Sequence, residues 1–72
     1  MRKFAERLKE LRAESGLSIM ALGKAIGVSD ATICRWENGI SDIKSDELIK
    51  LADFFLVSTD DLIGYEGRFE RK

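Results

Sequence analysis

The sequence has no histidine, no proline and a single cysteine, Cys34, among its 72 residues. Without histidine, the Ser/His/Asp and Cys/His nucleophile arrangements are excluded, as is a histidine-containing zinc site. One cysteine excludes an intramolecular disulfide. Since no cluster of acids, bases and nucleophiles stands out either, we expect neither an enzyme nor a bound cofactor or metal.

Long apolar runs are also missing. No segment approaches the ~20 apolar residues that span a bilayer, and the first ten residues are amphipathic rather than similar to a signal peptide. The chain contains no internal repeat, no low-complexity stretch and no β-type alternation of apolar residues. These absences predict one small all-α domain in the cytoplasm, with no membrane partner and no small-molecule ligand.

The formal net charge of −1 is unevenly distributed. Residues 1–44 carry +2, residues 45–64 carry −4 and residues 65–72 carry +1. The first half is therefore mildly basic and the last helices are acidic. If the partner is a nucleic acid, its sequence-independent attraction to this chain should be modest.

Apolar spacing and capping residues predict five helices. Ser18 and Ser29 are N-cap residues for two short helices, which end at Gly27 and at Asn38–Gly39. The other three helices are predicted over Arg2 to Glu14, Ser45 to Phe55 and Thr59 to Ile63, the last ended by Gly64. Residues 1–64 thus form the domain, and residues 65–72 are expected to be a flexible C-terminal tail.

Sixteen residues at fixed spacing carry a family resemblance. They are Leu17, Ser18, Leu22, Gly27, Val28, Ser29, Ile33, Trp36, Glu37 and Gly39, followed by Leu48, Leu51, Ala52, Phe55, Val57 and Ser58. This pattern resembles the phage repressor/Cro-type helix-turn-helix family, also called the XRE family, over Phe4 to Gly64. The resemblance implies a compact five-helix repressor-like domain that binds double-stranded DNA and reads the major groove with its third helix.

Carried over position by position, the resemblance implies that Asp30, Ala31, Thr32 and Arg35 read bases. Arg35 is the strongest candidate because its guanidinium fits guanine O6 and N7. Thr32 has two options, a methyl for thymine or a hydroxyl for base or phosphate, and Ala31 could accept a thymine methyl. Asp30 either accepts a hydrogen bond from cytosine N4 or only favours the helix N-terminus, and the sequence does not decide between these.

The resemblance also implies phosphate contacts. Helix-terminus contacts are expected from Ser18 and from amides near Asn38 and Gly39, and the side-chain candidates are Arg12, Lys24 and Lys44. The family often pairs an arginine at the position of Arg12 with the motif glutamate, here Glu37. This pair would be structural, holding the first helix against the end of the recognition helix.

Several positions depart from the family pattern. Ile19 replaces the usual glutamine, Ile43 a proline, and Leu56 the glycine that ends the fourth helix. Because a positive φ at Leu56 costs roughly 1 kcal/mol or more, a different helix end is expected there. Gly23 replaces an alanine, which lowers helix propensity by about 1 kcal/mol and allows close helix packing.

Five apolar residues could form a surplus on the surface: Ile19, Met20, Ile40, Ile43 and Leu56. They are either scattered surface residues of an ordinary kind or a partner surface, and the first interpretation is favoured.

The function that these residues predict is a DNA-binding transcriptional regulator, of repressor type and phage- or mobile-element-like. Its partners would be a pseudo-palindromic operator and a second copy in a weak homodimer, through a surface with Leu56, Ile63 and Tyr65. The alternative is an antitoxin-like or protein-interaction module on the same scaffold, favoured by the acidic half and by Ile19. A steep salt dependence of DNA binding would distinguish the two functions.

Overall fold

The protein is described here by a computed structural model that covers residues 2–63. Within that range the chain is all-helical, and each predicted helix is confirmed with its bounds. The helices are α1 (Arg2–Glu14), α2 (Ile19–Ile26), α3 (Asp30–Glu37), α4 (Ser45–Phe55) and α5 (Thr59–Ile63). The predicted stop at Gly64, the predicted domain boundary there and the tail at 65–72 lie outside the described residues.

Serine side chains cap three of the helix starts. The Oγ of Ser18 accepts a hydrogen bond from the Ala21 amide at 3.0 Å, and the Oγ of Ser29 accepts one from the Thr32 amide at 3.2 Å. Ser58 accepts one from the Asp61 amide at 3.0 Å. These bonds satisfy amides that have no partner within the helix, which is why helices of only five to eight residues can begin where they do.

Four helices are followed within two residues by a residue in the left-handed conformation. This residue is a glycine after α1, α2 and α3, but it is Leu56 after α4, with φ 58°. The Val57 amide donates to the Ala52 carbonyl and the Leu56 amide to the Asp53 carbonyl, the bonds of a Schellman motif. The expectation of a different helix end at Leu56 is therefore wrong. The motif is retained with a residue that bears a Cβ.

Replacing Leu56 with glycine should stabilise the protein. The side chain is 89% exposed and loses little contact when removed, whereas relief of the left-handed strain outweighs the added freedom of the unfolded chain by about 0.5–1 kcal/mol. Urea unfolding followed by circular dichroism would measure this gain. Leu56→Ala is the matched control, because it removes the apolar side chain and keeps the strain. A glycine variant no more stable than the alanine variant would contradict this account.

One core holds the five helices together. Its fully buried members come from every helix, with α1 contributing the largest share. They are Phe4, Leu8, Leu11, Leu22, Ile26, Ile33, Trp36, Leu51, Ala52 and Leu62. Trp36 is 2% exposed and meets Phe4 edge to face, with ring centroids 6.3 Å apart. The core therefore fixes the position of α3 from its inner side.

An ion pair joins the first and last described helices. Arg7 Nη2 donates to Asp61 Oδ2 at 3.0 Å, and Arg7 Nη1 donates to Glu10 Oε1 at 3.0 Å. Both bonds raise the pKa of the Arg7 guanidinium above its ordinary value, and the bond to Asp61 has the larger effect. Both acids are well exposed, so this pair adds little stability and mainly sets where α5 lies on α1.

The predicted apolar surplus is only partly exposed. Ile19 and Ile43 pack against the core, whereas Met20, Ile40 and Leu56 are 59%, 70% and 89% exposed. Two further apolar residues of α4, Ile49 and Phe54, are exposed as well. No described helix has the length and apolar character needed to cross a lipid bilayer.

Candidate nucleic-acid interface

A close backbone contact sets the geometry of the α2–α3 unit. The Gly23 carbonyl accepts hydrogen bonds from the amides of Gly27 and Val28, at 2.8 and 2.9 Å. A Cβ built on Gly23 would lie 2.6 Å from the Val28 carbonyl oxygen. The turn that leads into α3 therefore lies directly over Gly23, and the interpretation of this glycine as a close-packing position is confirmed.

The solvent side of α3 lies opposite its buried residues. Ile33 and Trp36 point into the core, so at 3.6 residues per turn Ala31 and Arg35 lie on the outer face. Both are exposed. In the described part of the chain, the Arg35 guanidinium has neither an ion-pair partner nor a side-chain hydrogen bond. Arg35 can therefore offer its donors to a ligand.

The other two predicted base readers are partly used by the helix itself. Asp30 Oδ1 accepts a hydrogen bond from the Ala31 amide at 2.9 Å, which matches the helix-terminus interpretation of this residue. The Thr32 hydroxyl lies 2.9 Å from the Ser29 Oγ, and Thr32 is half-buried. With its hydroxyl engaged in the cap, Thr32 retains its methyl as the group for a ligand.

Arg12 and Glu37 form the expected pair. Arg12 Nε donates to Glu37 Oε2 at 2.6 Å and Arg12 Nη2 to Glu37 Oε1 at 3.0 Å, while Nη1 donates to the Leu17 carbonyl at 2.9 Å. Glu37 is 6% exposed. The contact links α1, the α1–α2 turn and the end of α3. Three of the five guanidinium N–H groups of Arg12 therefore donate inside the domain, which fits the structural role of the pair, and the phosphate role of Arg12 stays a prediction.

The hydrogen bonds to Glu37 raise the pKa of the Arg12 guanidinium above its ordinary value, and they outweigh the lowering by burial. A raised folded-state pKa gives stability that is fully present below the unfolded-state pKa and is lost as the pH rises through the folded-state pKa. For arginine, this loss occurs only in strong alkali. The charge on Arg12 is therefore constant under ordinary conditions.

The predicted phosphate contacts are distributed over both ends of the unit. Ser18 is exposed at the start of α2 and can still donate its hydroxyl hydrogen. The amides of Asn38 and Gly39 already donate to the carbonyls of Cys34 and Trp36, and Asn38 Nδ2 donates to the Cys34 carbonyl at 2.8 Å. Asn38 Nδ2 also donates to the Cys34 Sγ at 3.4 Å, so the exposed Lys44 is the group that remains available there.

Lys24 lies apart from the other candidate phosphate contacts. It borders a groove against α4, together with Lys50 and Phe54, and is six residues from Ser18, or about 9 Å along the helix. The sequence did not indicate this groove, although the period of the α4 core residues already excluded Phe54 from the buried face. Within residues 2–63, no three His, Cys, Asp or Glu side chains are grouped so as to hold a metal ion.

Comparison with known proteins agrees with this architecture. A family model, HTH_3, described as helix-turn-helix, matches residues 8–62. Among curated proteins, none matches the chain at a significant level.

Three solved structures are similar over nearly the whole chain. A transcriptional regulator from Listeria innocua is 30% identical, with a TM-score of 0.85, over 96% of this chain and 64% of its own. The SOS-response transcriptional repressor LexA from Eubacterium rectale is 30% identical, with a TM-score of 0.82, over 97% of this chain and 73% of its own. The P22 c2 repressor, in complex with a synthetic operator, is 27% identical, with a TM-score of 0.83, over 92% of this chain and 100% of its own. This chain thus spans about two thirds of the Listeria regulator.

Proposed function

The chain belongs to the HTH_3 helix-turn-helix family, whose XRE-type members include DNA-binding transcription regulators, and on that basis we propose that it is a sequence-specific regulator that reads double-stranded DNA through the exposed face of α3. The observation that carries the proposal is Arg35, an exposed guanidinium beside Ala31 and Thr32 that has no partner among residues 2–63. The P22 c2 repressor, similar over most of this chain, was solved with a synthetic operator, which supports DNA as the ligand.

In the proposed complex, α3 lies in the major groove. Arg35 donates to O6 and N7 of a guanine, and Ala31 and the Thr32 methyl contact thymine methyl groups. Asp30 favours the helix N-terminus with one oxygen, and its other oxygen can accept from cytosine N4. These contacts give sequence preference, and a repressor-type role follows if the bound site overlaps a promoter.

Phosphate contacts would fix the position of the domain on the duplex. Ser18 at the start of α2, the side chain of Asn38 with the adjacent Gly39, and Lys44 before α4 are the proposed contacts. Their number is small and the residues before α4 carry only +2. The sequence-independent part of the affinity should accordingly be modest.

A homodimer would match a pseudo-palindromic site with half-sites about 34–36 Å apart. Leu56, 89% exposed, and the half-buried Ile63 are the proposed contacts, and Tyr65, predicted to join them, lies outside the described residues. The net charge of −4 over residues 45–64 opposes self-association. The dimer is therefore expected to be weak and to form mainly on DNA.

The protein would act in the cytoplasm of a bacterium, encoded by a phage or another mobile element.

Selection of bound sites from a random pool of duplex DNA tests the proposal. Enrichment of a short motif, repeated with two-fold symmetry at one helical turn, is the expected result. Absence of enrichment at low salt would overturn DNA recognition. Affinity for mixed-sequence DNA should fall as salt rises, with a slope set by the small number of phosphate contacts, whereas a protein that binds only other proteins would have no measurable affinity for this DNA.

Arg35→Ala should relax the preference at one base position in the selected site, with a loss of about 1–3 kcal/mol for the preferred base. The loss is confined to one base position because the substitution removes only one side chain from the DNA major groove. Competition binding with single-base variants of the site measures this effect. Lys44→Ala is the control, expected to weaken all sequences alike and to reduce the salt slope by about one. A uniform loss in the Arg35 variant would make that residue a phosphate contact instead.

A further inference from the structure

A groove runs between the last turn of α2 and the outer side of α4. Its volume is about 550 Å³, and it is open to solvent rather than enclosed. Lys24, Ala25 and Gly27 border it on the α2 side, and Lys50, Asp53 and Phe54 border it on the α4 side. An open groove of this kind suits the side chains of a protein segment better than a small molecule, because small-molecule sites enclose most of their ligand.

Phe54 gives the groove an apolar contact point. The ring is 41% exposed, and it meets Phe55 edge to face with centroids 5.0 Å apart. Since Phe55 packs against the core, the orientation of Phe54 is supported from below. Exposed aromatic side chains of this kind are enriched at protein–protein interfaces.

The charge of the groove selects the partner. Lys24 and Lys50 are exposed and form no ion pair within residues 2–63, and Asp53 is the one acid in the lining. The groove thus carries a local charge of +1 on a chain whose net charge is −1. Paired lysines beside an aromatic ring complement carboxylates beside an apolar side chain.

We propose that this groove docks an acidic segment of a second protein. An apolar side chain of that segment packs on Phe54 and Ala25, while its carboxylates pair with Lys24 and Lys50. Because α2 packs against both α3 and α4, the groove on the α4 side leaves the exposed face of α3 free. The docked partner can therefore be present while α3 is bound to DNA.

Two other occupants have different signatures. The acid-rich α4–α5 region of a second copy would also supply carboxylates, but that contact joins two different surfaces and would produce open chains of molecules. DNA phosphates would likewise pair with Lys24 and Lys50 but would gain nothing from Phe54. The experiment below separates these occupants from an acidic protein segment.

The probe is a synthetic 15-residue amphipathic peptide with glutamates flanking a central leucine and phenylalanine, and the protein is the full 72-residue chain. Nuclear magnetic resonance spectra of the ¹⁵N-labelled protein should shift saturably at Ala25, Gly27, Asp53 and Phe54. The same peptide with lysine in place of glutamate should bind at least about tenfold more weakly. Equal binding of the two peptides, or shifts confined to other residues, would overturn the proposal.

Two variants complete the test. Lys24→Glu with Lys50→Glu should weaken the acidic peptide about tenfold and strengthen the lysine peptide, while Phe54→Ser should weaken both. Lys9→Glu, an exposed lysine on α1, is the matched control and should change neither. If Phe54→Ser reduces thermal stability, the peptide affinities of the double lysine variant alone test the proposal.

Two results would assign the groove to another occupant and so overturn the proposal. The first is a set of shifts at the groove residues that depends on protein concentration without peptide, which would identify a second copy. The second is a loss of affinity for DNA of every sequence in the lysine variant, which would identify a phosphate contact.

Discussion

Glu37→Ala should lose about 2–3 kcal/mol of folding stability, because it removes two charge-assisted hydrogen bonds and leaves the partly buried Arg12 guanidinium without its carboxylate. Arg12 would keep its bond to the Leu17 carbonyl and lose both bonds to the carboxylate. For a domain of 72 residues, whose total stability is roughly 4–11 kcal/mol, this is a large fraction. Urea unfolding followed by circular dichroism measures the loss.

The same variant separates structure from recognition. Glu37 is buried on the inner side of α3, so the base preference of the remaining folded protein should be unchanged when selected sites are compared. Glu10→Ala is the control, since its ion pair with Arg7 is exposed and should contribute below about 1 kcal/mol. Arg12→Met with Glu37→Leu should recover part of the lost stability, because no buried charge is left unpaired. A stable Glu37→Ala protein with altered base preference would refute the structural role.

Gly23→Ala is expected to destabilise the protein by about 1–2 kcal/mol, although helix propensity alone predicts a gain of about 1 kcal/mol. The new Cβ would lie 2.6 Å from the Val28 carbonyl oxygen. That oxygen belongs to the backbone, so it can retreat only if the turn before Ser29 moves with it. Thermal unfolding measures the loss, and site selection measures any displacement of α3.

Ala25→Gly calibrates the propensity contribution for Gly23→Ala. Ala25 is an exposed residue of the same helix, so its replacement should cost only the propensity difference of about 1 kcal/mol. Subtracting this contribution isolates the effect of the close contact. If Gly23→Ala instead stabilises the protein by about the same amount, the turn relaxes freely and Gly23 does not position α3.

The helices were predictable because their causes are local. The starts of α2 to α5 each have a capping side chain or an acid within one turn, and the apolar residues of α1 repeat at 3.6 residues, so the bounds follow from neighbouring residues. Leu56 was not predictable in the same way. Its left-handed conformation is imposed by the packing of Val57 and the bonds to Ala52 and Asp53, which outweigh the local preference of leucine.

The candidate residues on the outer face of α3 and the Arg12–Glu37 pair were both implied by the family resemblance. What could not be predicted is which donors are already used. The engagement of Thr32 with Ser29, of Asn38 with Cys34 and of Arg12 with Leu17 depends on side-chain distances of about 3 Å. The position of Lys24 beside Lys50 likewise follows from how α2 crosses α4, which no spacing within the sequence contains.

The contact between Arg7 and Asp61 spans 54 residues of sequence, and it has a consequence for local opening. Helix α5 has five residues, of which Leu62 is the one fully buried, and its tie to α1 is solvent-exposed. Its release from α1 should need less free energy than global unfolding. Such an opening would uncover apolar surface of α1 while the Arg12–Glu37 contact and α3 stay in place. The domain would then become sensitive to proteases and to aggregation at this end before it loses the exposed face of α3.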